Sequence, residues 1–231
     1  MREIVLDTET TGLDPAKGDR IVEIGAVEIV DRIATGRTYH VLIDPERDMP
    51  EEAFRVHGHS AESLRGKPVF ASVALDFLSF VGDDPLVIHN AEFDTRFLNA
   101  ELARLGGAAL AAERIVDTLA IARRKHPGAP ASLDALCDRY RIDRSRRVKH
   151  GALLDAEILV EVYCELMGGR QRSLGLASEI AVAVEAARRA APRARPAPLG
   201  ERIDAEAAQA HRAHLETFGA PAIWLKYLTG V

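Results

Sequence analysis

The sequence predicts an α/β fold: a mixed five-stranded sheet, an antiparallel meander plus parallel strands, flanked by helices and followed by a flexible C-terminal tail. Three observations predict it. Three β-branched, apolar runs follow one another closely between Glu3 and Ile43. From Val69 onward, short apolar runs alternate with stretches of helical periodicity. After Gly168-Gly169 the composition turns to Ala, Arg and Pro. Antiparallel neighbours need only short connections, whereas parallel neighbours need crossovers, so the meander comes first and the parallel strands later.

Each element has its own signal. Glu3 to Asp7 reads as the first strand, "RIVEIGAVEIV" (Arg20 to Val30) and "TGRTYHVLI" (Thr35 to Ile43) as the next two. The break from Asp31 to Gly36 suits a hairpin connection. Pro50 to Gly66 is polar and mixed, a loop with short helical turns. Phe70, Val73, Ala74, Phe77, Leu78 and Val81 recur at helical spacing. Leu86 to His89 is a short apolar strand, and Ala91 to Leu105 a helix stopped by Gly106-Gly107. Arg114 to Asp117 reads as the fifth strand. Helices follow near Thr118 to Lys125, Ser132 to Tyr140 and Ala152 to Met167.

Composition bounds the function. Hydrophobic residues make up 47% and charged residues 28% of the 231 residues, an ordinary globular balance. No apolar run approaches the ~20 residues of a membrane span. The chain enters a charged strand at once, so no signal peptide is expected. Cys137 and Cys164 lack metal-type spacing and read as buried thiols in a reducing, cytoplasmic setting. A net charge of −5 argues against a nucleic-acid partner unless local charge provides for one. It does between Arg123 and Lys149, where nine Lys/Arg are interrupted by only three acids. Such a basic approach would steer a phosphate backbone, with Arg146, Arg147 and Lys149 contributing together.

Within "DTETTGL", Asp7 and Glu9 alternate along a strand and project side by side. Paired carboxylates repel and need positive charge between them. Asp94, in "IHNAEFDTRFL", starts the helix after the fourth strand. "VKHGALLDAEI" adds His150 and Asp155 at the start of the last core helix. Strand ends and helix starts are where α/β folds build sites. Converging carboxylates call for divalent cations, and oxygen ligation suits Mg²⁺ or Mn²⁺. Two such ions ~4 Å apart stabilise the attacking and leaving oxygens of displacement at phosphorus. A nearby His takes a proton from the attacking water.

"DTETTGL", "HNAEFD" and "HGALLDA" resemble the three motifs of the DEDDh family of 3′→5′ exonucleases: Asp-x-Glu, a second motif ending in Asp, and His-x4-Asp. The resemblance implies a ribonuclease H-like fold, two divalent metals and release of nucleoside 5′-monophosphates from a 3′ end. It implies Asp7, Glu9, Asp94 and Asp155 as metal-holding residues and His150 as general base. It also implies contacts to the terminal nucleotide from Thr10, His57, His89 and Asn90. An aspartyl phosphatase, the other strand-then-acid chemistry, is disfavoured by Glu9 as second acid and by the lack of a downstream Lys motif.

The remainder divides the chain into an exonuclease domain (1–170), a linker (171–202) and a C-terminal segment (203–231). "ARRAAPRARPAPLG" cannot form a core and reads as flexible linker. Ile203 to Thr217 could form a short helix, and "PAIWLKYL" carries Trp224, the only Trp. This cluster reads as a docking segment rather than a tail packing on its own domain. Gln171-Arg-Ser-Leu-Gly-Leu176 resembles peptides that dock in the bacterial sliding clamp through a glutamine and two apolar side chains, here Gln171, Leu174 and Leu176. The whole layout resembles the family of epsilon, proofreading subunits of bacterial DNA polymerase III. It implies that a DNA 3′ end is the substrate and that the tail binds the polymerase alpha subunit. The alternatives are a stand-alone exonuclease acting on RNA or in DNA repair, and a non-catalytic replisome adaptor.

Overall fold

The computed structural model describes residues 1–145, 147, 149–169 and 204–218. The chain divides into two units, Met1–Ser173 and Leu174–Val231. In the first, β1 (Arg2–Thr10), β2 (Ile21–Val30) and β3 (Ile33–Leu42) form the meander. Short helices α1 (Glu51–His57) and α2 (Ala61–Leu64) precede α3 (Phe70–Val81). Then come β4 (Leu86–Ile88), α4 (Ala91–Arg104), β5 (Ile115–Asp117), α5 (Thr118–Lys125), α6 (Leu133–Tyr140) and α7 (Ala152–Leu166). The sheet order is β3-β2-β1-β4-β5, with β4 and β5 parallel to β1. This is the mixed, ribonuclease H-like sheet expected from the sequence.

β1 lies at the centre and is apolar on both faces, because helices cover both. Ile4 and Leu6 pack with Phe70, Phe77, Phe97 and Leu98 from α3 and α4. Val5, on the opposite face, packs with Leu136, Ile158, Leu159 and Val162 from α6 and α7. The carboxylates of Glu3 and Glu101 are buried with partners: Tyr163 donates to Glu3 at 2.8 Å, and Arg20 forks onto Glu101 at 2.6 and 3.0 Å. Cys137 and Cys164 are buried thiols.

The β2–β3 connection is tighter than the sequence suggested. Asp31 and Arg32 both adopt positive φ (50° and 68°), a two-residue turn whose twist matches the strands. Strand β3 therefore starts at Ile33 rather than Thr35. Neither turn position is glycine, so the usual signal is missing.

In the second unit, α8 (Ala205–Glu216) starts at Asp204, whose side chain accepts from the Ala207 N–H at 2.7 Å. Gln171, Leu174, Leu176, Trp224 and the linker lie outside the described residues. Among the described residues, no helix is long and apolar enough to cross a membrane.

Candidate active site

The site forms where β1 outruns its neighbour. β4 pairs with β1 through Ile4–Leu86 and Val5–Val87 and ends at Ile88. β1 continues to Thr10, so its last residues have no parallel partner. Asp94, in the first turn of α4, fills that gap. Its Oδ1 accepts from the Thr8 N–H at 3.0 Å and from the Thr8 hydroxyl at 2.7 Å. Asn90, left-handed at φ 64°, turns the chain from β4 into α4, its N–H bonded to Asp117 at 3.2 Å.

Asp7 and Glu9 project on the face covered by α7. Asp7 pairs with Gly25 of β2, and the start of α7 lies directly against Gly25. A Cβ there would lie 2.1 Å from Leu153 N and 2.2 Å from the Ala152 carbonyl carbon. Only glycine lets the α7 backbone come this close. Glu23, paired with Glu9 across the strands, is buried below the helix start and accepts from the Ala152 N–H. It also accepts from His40 at 2.7 Å and His59 at 2.8 Å. Burial pushes the Glu23 carboxyl up, but the bonds from His59 and His40 outweigh it and hold it below the ordinary value. A carboxylate at a helix N-terminus is favourable, and this one fixes the turn that carries Asp155.

Three of the five residues singled out by sequence meet within ligand reach of one another, and Asp7 and Asp94 lie near enough to act on them electrostatically. Ligand atoms of Glu9, His150 and Asp155 lie within 4.8 Å of one another, and His150 Nδ1 is 3.2 Å from Asp155 Oδ2. Asp7 and Asp94 face the same group electrostatically. Burial, then Asp94, Glu9 and Asp155, raise Asp7 well above the ordinary range. Burial, then Asp155 and Glu23, raise Glu9 to about 8. Burial raises Asp94 to about 7 against the opposing pull of the Thr8 bonds. Carboxyls that resist ionisation together mark a place short of positive charge. The donor set is oxygen with one imidazole, and it fits a hard divalent ion.

Two partners of these acids carry no local signal in the sequence. Thr8 holds Asp94; alternation placed it on the other face of β1, and nothing local announced its partner. The sequence assigns Arg147 to a basic approach to the site. The structure places it inside the site instead. Its side chain is 8% exposed and forks onto Asp155 through Nε and Nη2, the latter at 2.7 Å. Nη1 reaches Asp134, and Nη2 lies 2.7 Å from His150 Nδ1. Arg147 is therefore not available for steering. Lys149 lies over the Phe54 ring, 4.8 Å from its centroid. Arg123, Arg124, Arg139 and Arg141 are exposed.

Beside Glu9 opens a cavity of about 620 Å³, lined by residues that include Thr8, Thr10, Leu13, Val56, His57 and Phe93. The Thr10 hydroxyl donates to the Gly12 carbonyl at 2.6 Å. His57 is buried, and its Nδ1 accepts from the His59 N–H at 3.0 Å. Its Nε2 finds no hydrogen-bond partner among the described residues. Burial and the neighbouring His59 push His57 down to about 4, against a smaller opposing pull from the Thr10 backbone. His89 is placed differently. Its Nδ1 bonds the Thr118 hydroxyl at 2.9 Å, at the start of α5, and it does not line the cavity.

Comparison with known proteins places the chain. Residues 4–163 match the RNase T family, described as exonuclease. DNA polymerase III subunit epsilon of Rickettsia conorii is 54% identical over 185 residues, covering 79% of this chain and 80% of that one. The Escherichia coli protein of the same name is 48% identical over 185 residues, covering 77% and 76%. Among solved structures, exonuclease X in complex with 5′ overhanging duplex DNA is similar at 25% identity and TM-score 0.59, covering 77% of this chain and 98% of that one. E. coli exonuclease I in complex with a dA16 oligonucleotide shares the fold at 19% identity and TM-score 0.62, covering 74% and 41%. The chain belongs to the RNase T exonuclease family, as a DEDDh 3′→5′ exonuclease resembling the epsilon subunit of bacterial DNA polymerase III.

Proposed function

We propose that this protein removes nucleoside 5′-monophosphates from single-stranded or frayed DNA 3′ ends and proofreads for a replicative DNA polymerase. The observation that carries this reading is the meeting of Glu9, Asp155 and His150 at the free end of β1, with Asp7 and Asp94 acting on the same group electrostatically. In this reading Asp7, Glu9, Asp94 and Asp155 would hold two divalent ions, Mg²⁺ or Mn²⁺, which when bound would supply positive charge for the oxygens of displacement at phosphorus.

The chain's own residues do the rest. His150 takes the proton from the attacking water. Thr8 holds Asp94 Oδ1 beside β1 and so fixes where that carboxylate sits. Glu23 and Gly25 seat α7 so that Asp155 faces Glu9. The cavity beside Glu9 receives the terminal nucleotide, with Thr10 and His57 offering polar contacts and Phe93 an apolar wall. Asn90 turns the chain into α4 and fixes where Asp94 starts. A cavity on one side of the acids suits an unpaired terminal residue, so fraying supplies selectivity for mismatched ends.

Gln171, Leu174 and Leu176 are proposed to engage the sliding clamp, and Trp224 with its segment the polymerase alpha subunit. Tethering would raise the local concentration of the nuclease at the growing end. Two measurements test this function. Hydrolysis of a duplex with a mismatched 3′ terminus should run faster than that of the matched duplex. Co-purification with the alpha subunit should be lost on truncation to residues 1–180. Equal rates on both ends would refute proofreading selectivity, and undiminished binding would refute the docking role of the tail.

A further inference from the structure

The cation already in the site is Arg147. It is nine-tenths buried, lies against the carboxylate of Asp155, and reaches His150 and Asp134 from the same guanidinium. Asp7 and Glu9 both feel its charge. A guanidinium only donates, so in this contact His150 Nδ1 is the acceptor. In this arrangement the Nδ1 lone pair is engaged by Arg147. Asp155 is likewise engaged at both oxygens.

Asp134 is the asymmetric partner. Its side chain is 46% exposed, against 4% for Asp155, and it also pairs with Arg144 at 3.1 Å. The guanidinium thus spans a buried seat on Asp155 and a wetter one on Asp134. Moving from one to the other needs no new partner. The two acids belong to different helices, α7 and α6, and the Arg147 segment runs between them.

We propose that Arg147 is a displaceable internal cation: it occupies the acidic site before metal loads, and metal binding exchanges it off Asp155 and His150 onto Asp134. The exchange neutralises the buried acids in both states. It also couples metal loading to release of the histidine, so that hydrolysis waits for the ion. This inference rests on the divalent-metal reading above and goes beyond it by assigning Arg147 the opposing role.

The test is Mn²⁺ titration of the full-length protein by calorimetry, with no substrate present. If the guanidinium is seated on Asp155 nine-tenths of the time, its removal should tighten binding by about tenfold. Arg147→Gln should therefore bind Mn²⁺ more tightly than wild type, while the metal-free variant melts lower and gains more from the ion. Arg147→Lys keeps a charge but loses the fork, so it should tighten binding less. That variant supplies the same sign test if the glutamine form does not fold. Asp134→Asn should weaken Mn²⁺ binding in the wild-type background and leave it unchanged in Arg147→Gln. Unchanged or weaker binding in the Arg147 variants would show a scaffold for Asp155 and overturn the proposal. An equal Asp134 effect in both backgrounds would overturn the exchange onto Asp134. Wild type that binds no Mn²⁺ at all would overturn the metal reading itself, a distinguishable result.

Discussion

Gly25→Ala is the sharpest structural test of how the site is assembled. The new Cβ would sit 2.1 Å from Leu153 N, 2.2 Å from the Ala152 carbonyl carbon and 2.4 Å from Leu153 Cα. These are backbone atoms, so no side chain can swing aside. Relaxing the closest contact to an ordinary ~3.4 Å moves the start of α7 by more than about 1 Å. Forced overpacking of this kind costs about 1–3 kcal/mol. For a domain of this size that corresponds to roughly 2–12 °C in melting temperature. Asp155 rides on the first turn of α7, and a misplacement of about 1 Å can cost on the order of 100-fold in rate. Gly36→Ala provides the control. Gly36 has φ +86° and nothing within 4 Å of its Cβ position, so its alanine variant should lose about 1–2 kcal/mol of stability and keep its hydrolysis rate. The assays are thermal melting and metal-dependent hydrolysis of a single-stranded oligonucleotide. A Gly25→Ala protein with wild-type melting and wild-type rate would refute the claim that this contact sets the position of α7.

Three further outcomes follow from the same geometry. Glu9 titrates near 8 when folded, far above its unfolded value, so the stability it contributes is present at low pH and lost as pH rises through 8. The metal-free protein should therefore melt lower at pH 8 than at pH 6.5, and Glu9→Gln should flatten that slope in a melting series; an unchanged slope would contradict the raised value. Thr8→Val removes the hydroxyl bond to Asp94 but leaves the backbone bond, and it should cost about 1 kcal/mol and roughly tenfold in hydrolysis, read by melting and kinetics. His150→Gln should lower kcat by about 100-fold or more while Mn²⁺ still binds, and wild-type turnover at neutral pH would remove His150 from the role of base.

Much of this fold was legible because its signals are local. The β-branched runs of β1 and β2 and the spacing from Phe70 to Val81 each point to one element. Asp7 and Glu9 were placed by strand alternation alone. What escaped were features fixed by partners distant in sequence. The Asp31-Arg32 turn uses positive φ without glycine, so composition does not mark it. Thr8 earns its role only because β4 stops at Ile88, a length set by packing. Arg147 sits in a run of basic residues that reads as solvated charge. Only the fold shows that α6 and α7 supply it with Asp134 and Asp155, and so turns a steering residue into an internal one. His89 points to α5 because β4 and β5 are parallel neighbours, a pairing that sequence proximity does not reveal.

The most direct measurement is the product of digestion. A 5′-labelled single-stranded DNA incubated with the protein and Mg²⁺ should shorten one residue at a time from its 3′ end and release nucleoside 5′-monophosphates, and Asp155→Asn should abolish this while remaining folded. Internal cleavage, nucleoside 3′-monophosphate products, or full activity in Asp155→Asn would contradict the account.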